Sequence, residues 1–358
     1  VLVGAPGDVR GGRYRPISSS GIQFEVLARS EENSMKLENH FGSLLQDTVN
    51  LRRRRLEQLE ERAGRIFDSI RADGDLGAMH PGMTRQGSWA QETIINPPVG
   101  REFDADFTLN LDNNPDWTPR DYLKAVRRAL DNSQHHGDMT LQRKTRCVRV
   151  VYANLFHVDV VPAVTRNGVE YIANWDTDTW ERTNPEAFTA WMQQKDRDAR
   201  SNLRRVIRLM KYVRHLHGFD GVRSIILTTL LGGQVDSTRQ FVDANYYGDL
   251  PTAFLHLVND LDAYLWARPS KPSVLDPSGT GLTFDHRWKQ NTYANFRQRL
   301  HSIAGTATTA YFSTDPDESE RLWREIFGEQ FIDSSGKSDA PRFGTPATTA
   351  GYISGRAG

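Results

Sequence analysis

The chain has 358 residues, 38% of them apolar and 25% charged, and its 45 basic side chains balance 45 acidic ones. That is chain enough for two domains or for two lobes around one cleft, and the even charge gives no argument for obligatory nucleic-acid binding. No run of 18 apolar residues and no signal peptide is visible, so no membrane partner is expected and the expected location is cytoplasmic.

Residues 1–34 are rich in Gly, Ser and Arg, lack helical periodicity, and offer only Ile22 to Leu27 as a short strand. They read as a disordered or non-native leader, with the natural chain expected to begin at Met35. From there Phe41, Leu44, Leu45, Val49, Leu56, Leu59, Ala63, Ile66, Phe67 and Ile70 recur at three- and four-residue steps. This predicts one long amphipathic helix over about 39–72. The arginines at 52–55 are followed by Glu57, Glu60 and Glu61 at helix-neighbour spacing, which favours a solvated, internally paired face over a nucleic-acid contact.

Next comes Gln86-Gly87-Ser88-Trp89-Ala90-Gln91-Glu92-Thr93 and, after a Pro/Gly loop, Phe103-Asp104-Ala105-Asp106-Phe107-Thr108-Leu109. Apolar and polar residues alternate in the second run, the period of a half-buried strand, so Asp104 and Asp106 share a face. Two neighbouring carboxylates repel and raise each other's pKa unless a cation sits between them. Hard oxygen ligands of this kind suit Mg²⁺, which takes one or two carboxylates plus substrate phosphates. The glycine of the preceding Gly-Ser turn permits close backbone approach to a ligand, and free N–H groups at a helix start attract phosphate. Turn and paired aspartates together read as a nucleoside-triphosphate site.

Thr118-Pro119-Arg120-Asp121 opens a helix with Pro in its first turn. Strands are expected near 145–152, 154–162 and 169–173. Cys147, the only cysteine, lies in the first of them and reads as a small buried hydrophobe, not a nucleophile. The second contains Leu155-Phe156-His157-Val158-Asp159-Val160-Val161-Pro162, with one carboxylate inside a Val-rich run. An unpaired acid there is costly. The cost vanishes if Asp159 lies beside Asp104 and Asp106 and shares the metals, since three acids can hold two Mg²⁺ ions around an in-line phosphoryl transfer. His157 shares the face of Asp159 and reads as a structural or supporting residue.

From about 184 the chain turns helical, beginning with the cap Asn184-Pro185-Glu186. A helix near 199–217 turns Leu203, Val206, Ile207, Met210 and Val213 to a core and carries Arg204, Arg208, Lys211 and His215 on its other face, a solvated basic face on pattern alone. Leu255 to Leu265 mark a further helix, and Leu322, Trp323, Ile326 and Phe327 mark the last helix. Beyond Asp333 the composition is that of a mobile tail.

Gly-Ser-x4-Thr at 87–93, Asp-x-Asp at 104–106 and His-Val-Asp-Val-Val-Pro at 157–162 resemble the polymerase-β-type nucleotidyltransferase superfamily. Within it the chain most resembles the bacterial cGAS/DncV-like nucleotidyltransferases (CD-NTases), which make cyclic oligonucleotide messengers in anti-phage systems. The resemblance implies an α+β, bilobal fold: a mixed-sheet palm lobe with a long spine helix over 35–175, an α-helical C-terminal lobe over 176–331 with a loop at Val274 to Pro277 and a helix start at Thr283 to Trp288, and a tail from 332. It implies that Asp104, Asp106 and Asp159 are catalytic and hold two Mg²⁺ (or Mn²⁺) ions. Gln86, Gly87 and Ser88 would bind nucleotide, with Lys211 on the β- and γ-phosphates and Ser224 assisting. The expected substrates are ribonucleoside triphosphates, ATP among them, and the product is a cyclic di- or trinucleotide that acts on an effector protein. A companion ligase that joins the C-terminal carboxylate, here Gly358, to another molecule is also implied. Two alternatives stay open at this point: a nucleotidyltransferase with a linear, 2′–5′ oligoadenylate-like product or an RNA or protein substrate, and an inactive nucleotide-binding regulator.

Overall fold

A computed structural model describes residues 35–97, 102–136, 139–153, 155–219 and 221–335. The expectations for the leader (1–34, with its 22–27 strand), for residues 336–358 and for Gly358 lie outside the described residues. The expected helix over 39–72 is divided. Helix α1 (Glu38–Ser43) runs into a π-helical stretch, Leu44–Val49, after which Asn50 is extended and bridges to Ile95. Helix α2 (Arg53–Arg71) then starts afresh. The division has a packing cause. Phe41, Leu44, Leu45 and Val49 belong to the core of the helical half, whereas Leu59, Ala63, Ile66 and Ile70 belong to the core under the sheet. A straight helix carries one apolar stripe; the wider π turns and the extended joint re-aim it. The exposed side of α2 carries the pairs Arg53–Glu57, Arg65–Glu61 and Arg71–Asp68; of the acids expected to answer the arginines at 52–55, Glu57 does so, whereas Glu61 pairs with Arg65 and Glu60 with Arg85.

A short turn, α3 (Gly74–Gly77), leads into a seven-stranded mixed sheet. Its strands are β1 (Gly82–Gln86), β2 (Phe103–Leu111), β3 (Thr140–Arg143), β4 (Val148–Tyr152), β5 (Phe156–Arg166), β6 (Val169–Asn174) and β7 (Thr179–Thr183). The single turn α4 (Gly87–Ala90) follows β1, and α5 (Pro119–Asp131) follows β2. The order is β1-β2-β5-β4-β3, with β6 on the second half of β5 and β7 beyond it. Only β2 and β5 run parallel. The period-2 pattern of β2 is obeyed: Phe103, Ala105, Phe107 and Leu109 are buried, Asp104 is exposed and Asp106 half-buried. α5 covers the apolar side with Tyr122, Leu123, Val126 and Leu130, started by a Thr118–Asp121 capping box. Strands β1, β3 and β7 were not expected from the sequence, and β7 carries the sheet past 175 to Thr183.

The helical half comprises α6 (Pro185–Asp198), α7 (Leu203–Leu216), α8 (Ser224–Gln234), the short α9 (Arg239–Val242), α10 (Leu250–Trp266), α11 (Gln290–Tyr311) and α12 (Pro316–Phe327). The helix start expected at 283–288 comes later, at Gln290. Thr283 bridges back to Leu275, and the Asp285 carboxylate accepts the Val274 N–H at 3.0 Å, which closes a loop instead. The 22-residue extent of α11 was not read from the sequence, because its core face includes Ala304, Ala307 and Ala310 and contrasts little with the Thr and Ser opposite. Phe41 closes this half from the N-terminal side, with edge contacts of 5.0 to 5.3 Å to Trp323, Phe327 and Phe331. Residue 334, expected in a tail, is docked: its hydroxyl donates to Asp47 at 2.6 Å. Among the described residues no helix is long and apolar enough to cross a membrane.

Candidate active site

Three separate segments build one cleft. β1 delivers the chain to Gln86, which pairs with Asp106 of β2, and Gly87 then turns with φ 59° in the left-handed region. A Cβ on Gly87 would sit 2.8 Å from Asp106 Oδ2, so both backbone shape and space call for glycine. The α4 turn is closed by Gln91 N–H to the Gly87 carbonyl (3.2 Å) and Thr93 N–H to the Ser88 carbonyl (2.9 Å). Buried Trp89 anchors it, with the Arg85 guanidinium 4.8 Å from the indole centroid.

The parallel register of β2 and β5 sets Asp106 opposite Asp159 and Asp104 opposite His157, so these four side chains share one sheet face. Burial, then Asp159 and Asp104, pushes the Asp106 carboxyl up to about 7. Asp159 is buried, but its cost is met by a partner the sequence reading did not include. Arg149, opposite it on β4, donates from Nε (2.7 Å) and Nη2 (2.8 Å) to both carboxylate oxygens and lies 3.6 Å from Asp104. That bidentate pairing holds the guanidinium pKa up. His157 sits between Glu102 (2.8 Å) and Asp104 (3.3 Å). Cys147 is buried, and burial with the nearby Asp159 pushes its thiol up, which keeps it unreactive.

The third segment is α7. Lys211 is buried and donates to the Thr93 carbonyl and hydroxyl, both at 2.9 Å. Burial, aided by Arg214 and Arg208, pushes its amine down to about 7. Arg208 and Arg204 reach Glu92, so this part of the helix is packed inward on the loop and is not the solvated basic face that the bare pattern suggests. Ser224, first residue of α8, accepts from Arg214 at 3.1 Å.

The resulting cleft has a volume of about 330 Å³ and is lined by Gly87, Ser88, Asp104, Asp106, Lys211 and Ser224 among others. Gln86 and Asp159 lie behind it: Gln86 accepts from Thr108 at 3.4 Å, and Asp159 faces Arg149. Sequence reasoning missed Arg149, Thr93 and Arg214. Arg149 had a signal, a lone cation at an alternating position in an apolar strand; Thr93 had its place in the Gly-Ser-x4-Thr run.

Among the described residues no group of three or more His, Cys, Asp or Glu side chains stands ready to hold a metal ion. Asp104 and Asp106 still fit a hard divalent cation: they share one face of the sheet, and burial, with the neighbouring carboxylates Asp159 and Asp104, raises the Asp106 carboxyl, a cost that a bound cation would offset. Asp159 has both carboxylate oxygens engaged by Arg149 and does not line the cleft.

A sheet bearing an aspartate pair beside a Gly-Ser turn, facing a helical lobe across a cleft, has the architecture of the polymerase-β-type nucleotidyltransferases. Residues 35–196 match the Second Messenger Oligonucleotide or Dinucleotide Synthetase domain. A cyclic AMP-AMP-AMP synthase of an Acinetobacter species is 22% identical over 282 residues, which is 77% of this chain and 80% of that one. A cyclic AMP-AMP-GMP synthase of Enterobacter hormaechei is 26% identical over 42% of this chain and 39% of its own. Among solved structures, Escherichia coli CdnC with ATP superposes with a TM-score of 0.63 at 15% identity, covering 82% of this chain and 98% of the other. Escherichia coli DncV with 3′-deoxy GTP gives 0.57 at 18% identity over 88% and 92%. Residues 35–196 thus carry a second-messenger synthetase domain, and the fold is that of the cGAS/DncV-like nucleotidyltransferases.

Proposed function

We propose that this chain joins ribonucleoside triphosphates into a cyclic di- or trinucleotide messenger in anti-phage defence. One observation carries the reading. The fold brings Gly87 and Ser88, Asp104 and Asp106, and Lys211 from distant parts of the chain to one cleft. The products named for its relatives, cyclic AMP-AMP-AMP and cyclic AMP-AMP-GMP, fall in the same chemical class.

In this reading the Gly87-Ser88 turn grips the donor phosphates with backbone amides, and Lys211, which spends two of its three donors on Thr93, offers charge to the outer phosphates. Asp104 and Asp106 would hold Mg²⁺, or Mn²⁺, with Asp159 completing the set for two ions. A divalent ion held by these residues would supply charge neutralisation at the phosphates and a lowered pKa at the acceptor hydroxyl. A ribose hydroxyl attacks the α-phosphate: one P–O bond forms, the bond to the β-phosphate breaks, pyrophosphate leaves and the hydroxyl proton is lost. A further attack within the bound linear product closes the ring. Catalysis is then mainly positioning and charge neutralisation, so no histidine or cysteine nucleophile is required. The cytoplasm, where ribonucleoside triphosphates are plentiful, is the compartment this reading needs. A messenger-activated effector and a companion ligase are the partners it carries.

The test is incubation with the four ribonucleoside triphosphates and Mg²⁺, followed by phosphatase and mass spectrometry. A phosphatase-resistant oligonucleotide supports the ring. A phosphatase-sensitive oligomer points to the linear synthase, and absence of turnover with retained binding points to a regulator.

A further inference from the structure

Glu92 follows the α4 turn and has φ 56°, in the left-handed region that side chains other than glycine avoid. Such a conformation persists only where its surroundings hold it. Two arginines on successive turns of α7 do so. Arg208 Nη1 donates to the Glu92 carbonyl at 2.8 Å, and Arg204 Nη1 lies 3.0 Å from Glu92 Oε2. Arg204 is itself steadied by Asp196, which accepts the Arg204 N–H at 3.0 Å and lies 3.7 Å from Nε. The segment they hold is tied into one piece, because the amides of Gln91, Glu92 and Thr93 bond back to Gly87, Trp89 and Ser88. Glu92, Arg204 and Arg208 do not line the cleft, so any influence they have on a bound molecule passes through the turn.

We propose that Arg204 and Arg208, acting through Glu92, are positioning residues that fix the Gly87-Ser88 turn against Asp104 and Asp106, so that phosphate grip and acids meet on one triphosphate. This rests on the reading of the cleft as a nucleotide site. The geometry requires a fixed turn, since Gly87 already stands within a Cβ's reach of Asp106. A turn that drifts toward the acid would collide with it, and one that drifts away would lose the phosphates.

The full chain is compared with Arg208→Met, Arg204→Gln, Glu92→Gln and the Arg204→Gln/Glu92→Gln double variant. The readouts are the dissociation constant of a non-hydrolysable ATP or GTP analogue, hydrogen exchange of the amides at 87–93, and melting temperature. Arg208→Met, which strips a carbonyl of its charged donor, should weaken analogue binding about tenfold. The partly exposed Arg204–Glu92 pair should be worth about threefold from either side. The double variant should bind no more weakly than either single one, because each removes the same contact. Arg204→Lys should restore most of the binding. Amides 87–93 should exchange faster in every weakened variant while the melting temperature stays near wild type. Unchanged binding and exchange in Arg208→Met and Glu92→Gln would overturn the proposal, as would weakening that only tracks a falling melting temperature. If the unaltered chain binds no triphosphate at all, the nucleotide reading fails, and exchange at 87–93 alone decides the clamp.

Discussion

Replacing Asp106 by Asn should stabilise the metal-free protein, and only above acidic pH. The unfolded chain ionises this carboxyl near 3.8, whereas in the fold burial, Asp159 and Asp104 hold it up to about 7. Between those values the unfolded chain has lost a proton that the folded one keeps. The native state therefore loses stability as pH rises from about 4 to about 7 and no further above that. Taken at face value the rise is worth on the order of 4 kcal/mol. Asp106 keeps an open side toward the cleft, and solvent screening reduces the expected gain to about 2 kcal/mol. For a chain of this size that is a rise in melting temperature of roughly 3–5 °C. The assay is thermal unfolding of wild type and Asp106→Asn in chelator from pH 4 to pH 8. The curves should coincide at pH 4 and separate steadily to pH 7. Added Mg²⁺ should then raise the wild type toward the variant and leave the variant unmoved. A gap of equal size at pH 4 and pH 8, or a variant less stable at pH 8, would refute the reasoning.

Gly87→Ala should abolish triphosphate binding by equilibrium dialysis while the far-UV spectrum is kept, since its Cβ would meet Asp106 Oδ2 at 2.8 Å at a left-handed φ. Lys211→Met should raise the KM for the donor nucleotide more than it lowers kcat. Because the buried amine sits near 7, metal-free triphosphate binding by the wild type at pH 8 should take up about one proton. Calorimetry in buffers of different ionisation enthalpy reads that uptake, and Lys211→Met should lack it. Arg149→Met should lower stability by about 3–5 kcal/mol in urea titration by leaving Asp159 buried and unpaired. Adding Asp159→Asn to it should recover most of the loss; no recovery would mean that the pair is not what holds this part of the sheet.

The acids were legible because β2 has one buried and one open face, so its pattern alone fixed which residues Asp104 and Asp106 stand beside. Asp159 was legible as an anomaly, a carboxylate in an apolar strand, but what satisfies it depends on strand order: β4, not only β2, flanks β5, and it brings Arg149. The helices of the second half announced themselves where large aliphatic residues repeat, as in α7. The extent of α11 stayed hidden, because alanine forms much of its face. β1, β3 and β7 are five residues or fewer, partly exposed, and held by pairing with neighbours that local sequence does not show. The break after Val49 was invisible for a related reason. Both halves of the 39–72 pattern are helical, and only the existence of two cores tells them apart.

That division has a consequence for how the chain assembles on the ribosome. The sheet core draws on residues from Leu59 to Ala173, a contiguous stretch that is complete once the first half of the protein has emerged. The helical core needs Phe41, Leu44, Leu45 and Val49 from the beginning and Trp323, Phe327 and Phe331 from near the end. The amide of Met35 also waits for the carbonyl of Tyr311, at 2.9 Å. Domains tend to fold as units while synthesis proceeds. The palm can therefore form early, while the segment before Asn50 is held, apolar side unsatisfied, until almost 300 further residues have been made. The joint at 50–52 lets one end of the spine be finished while the other waits.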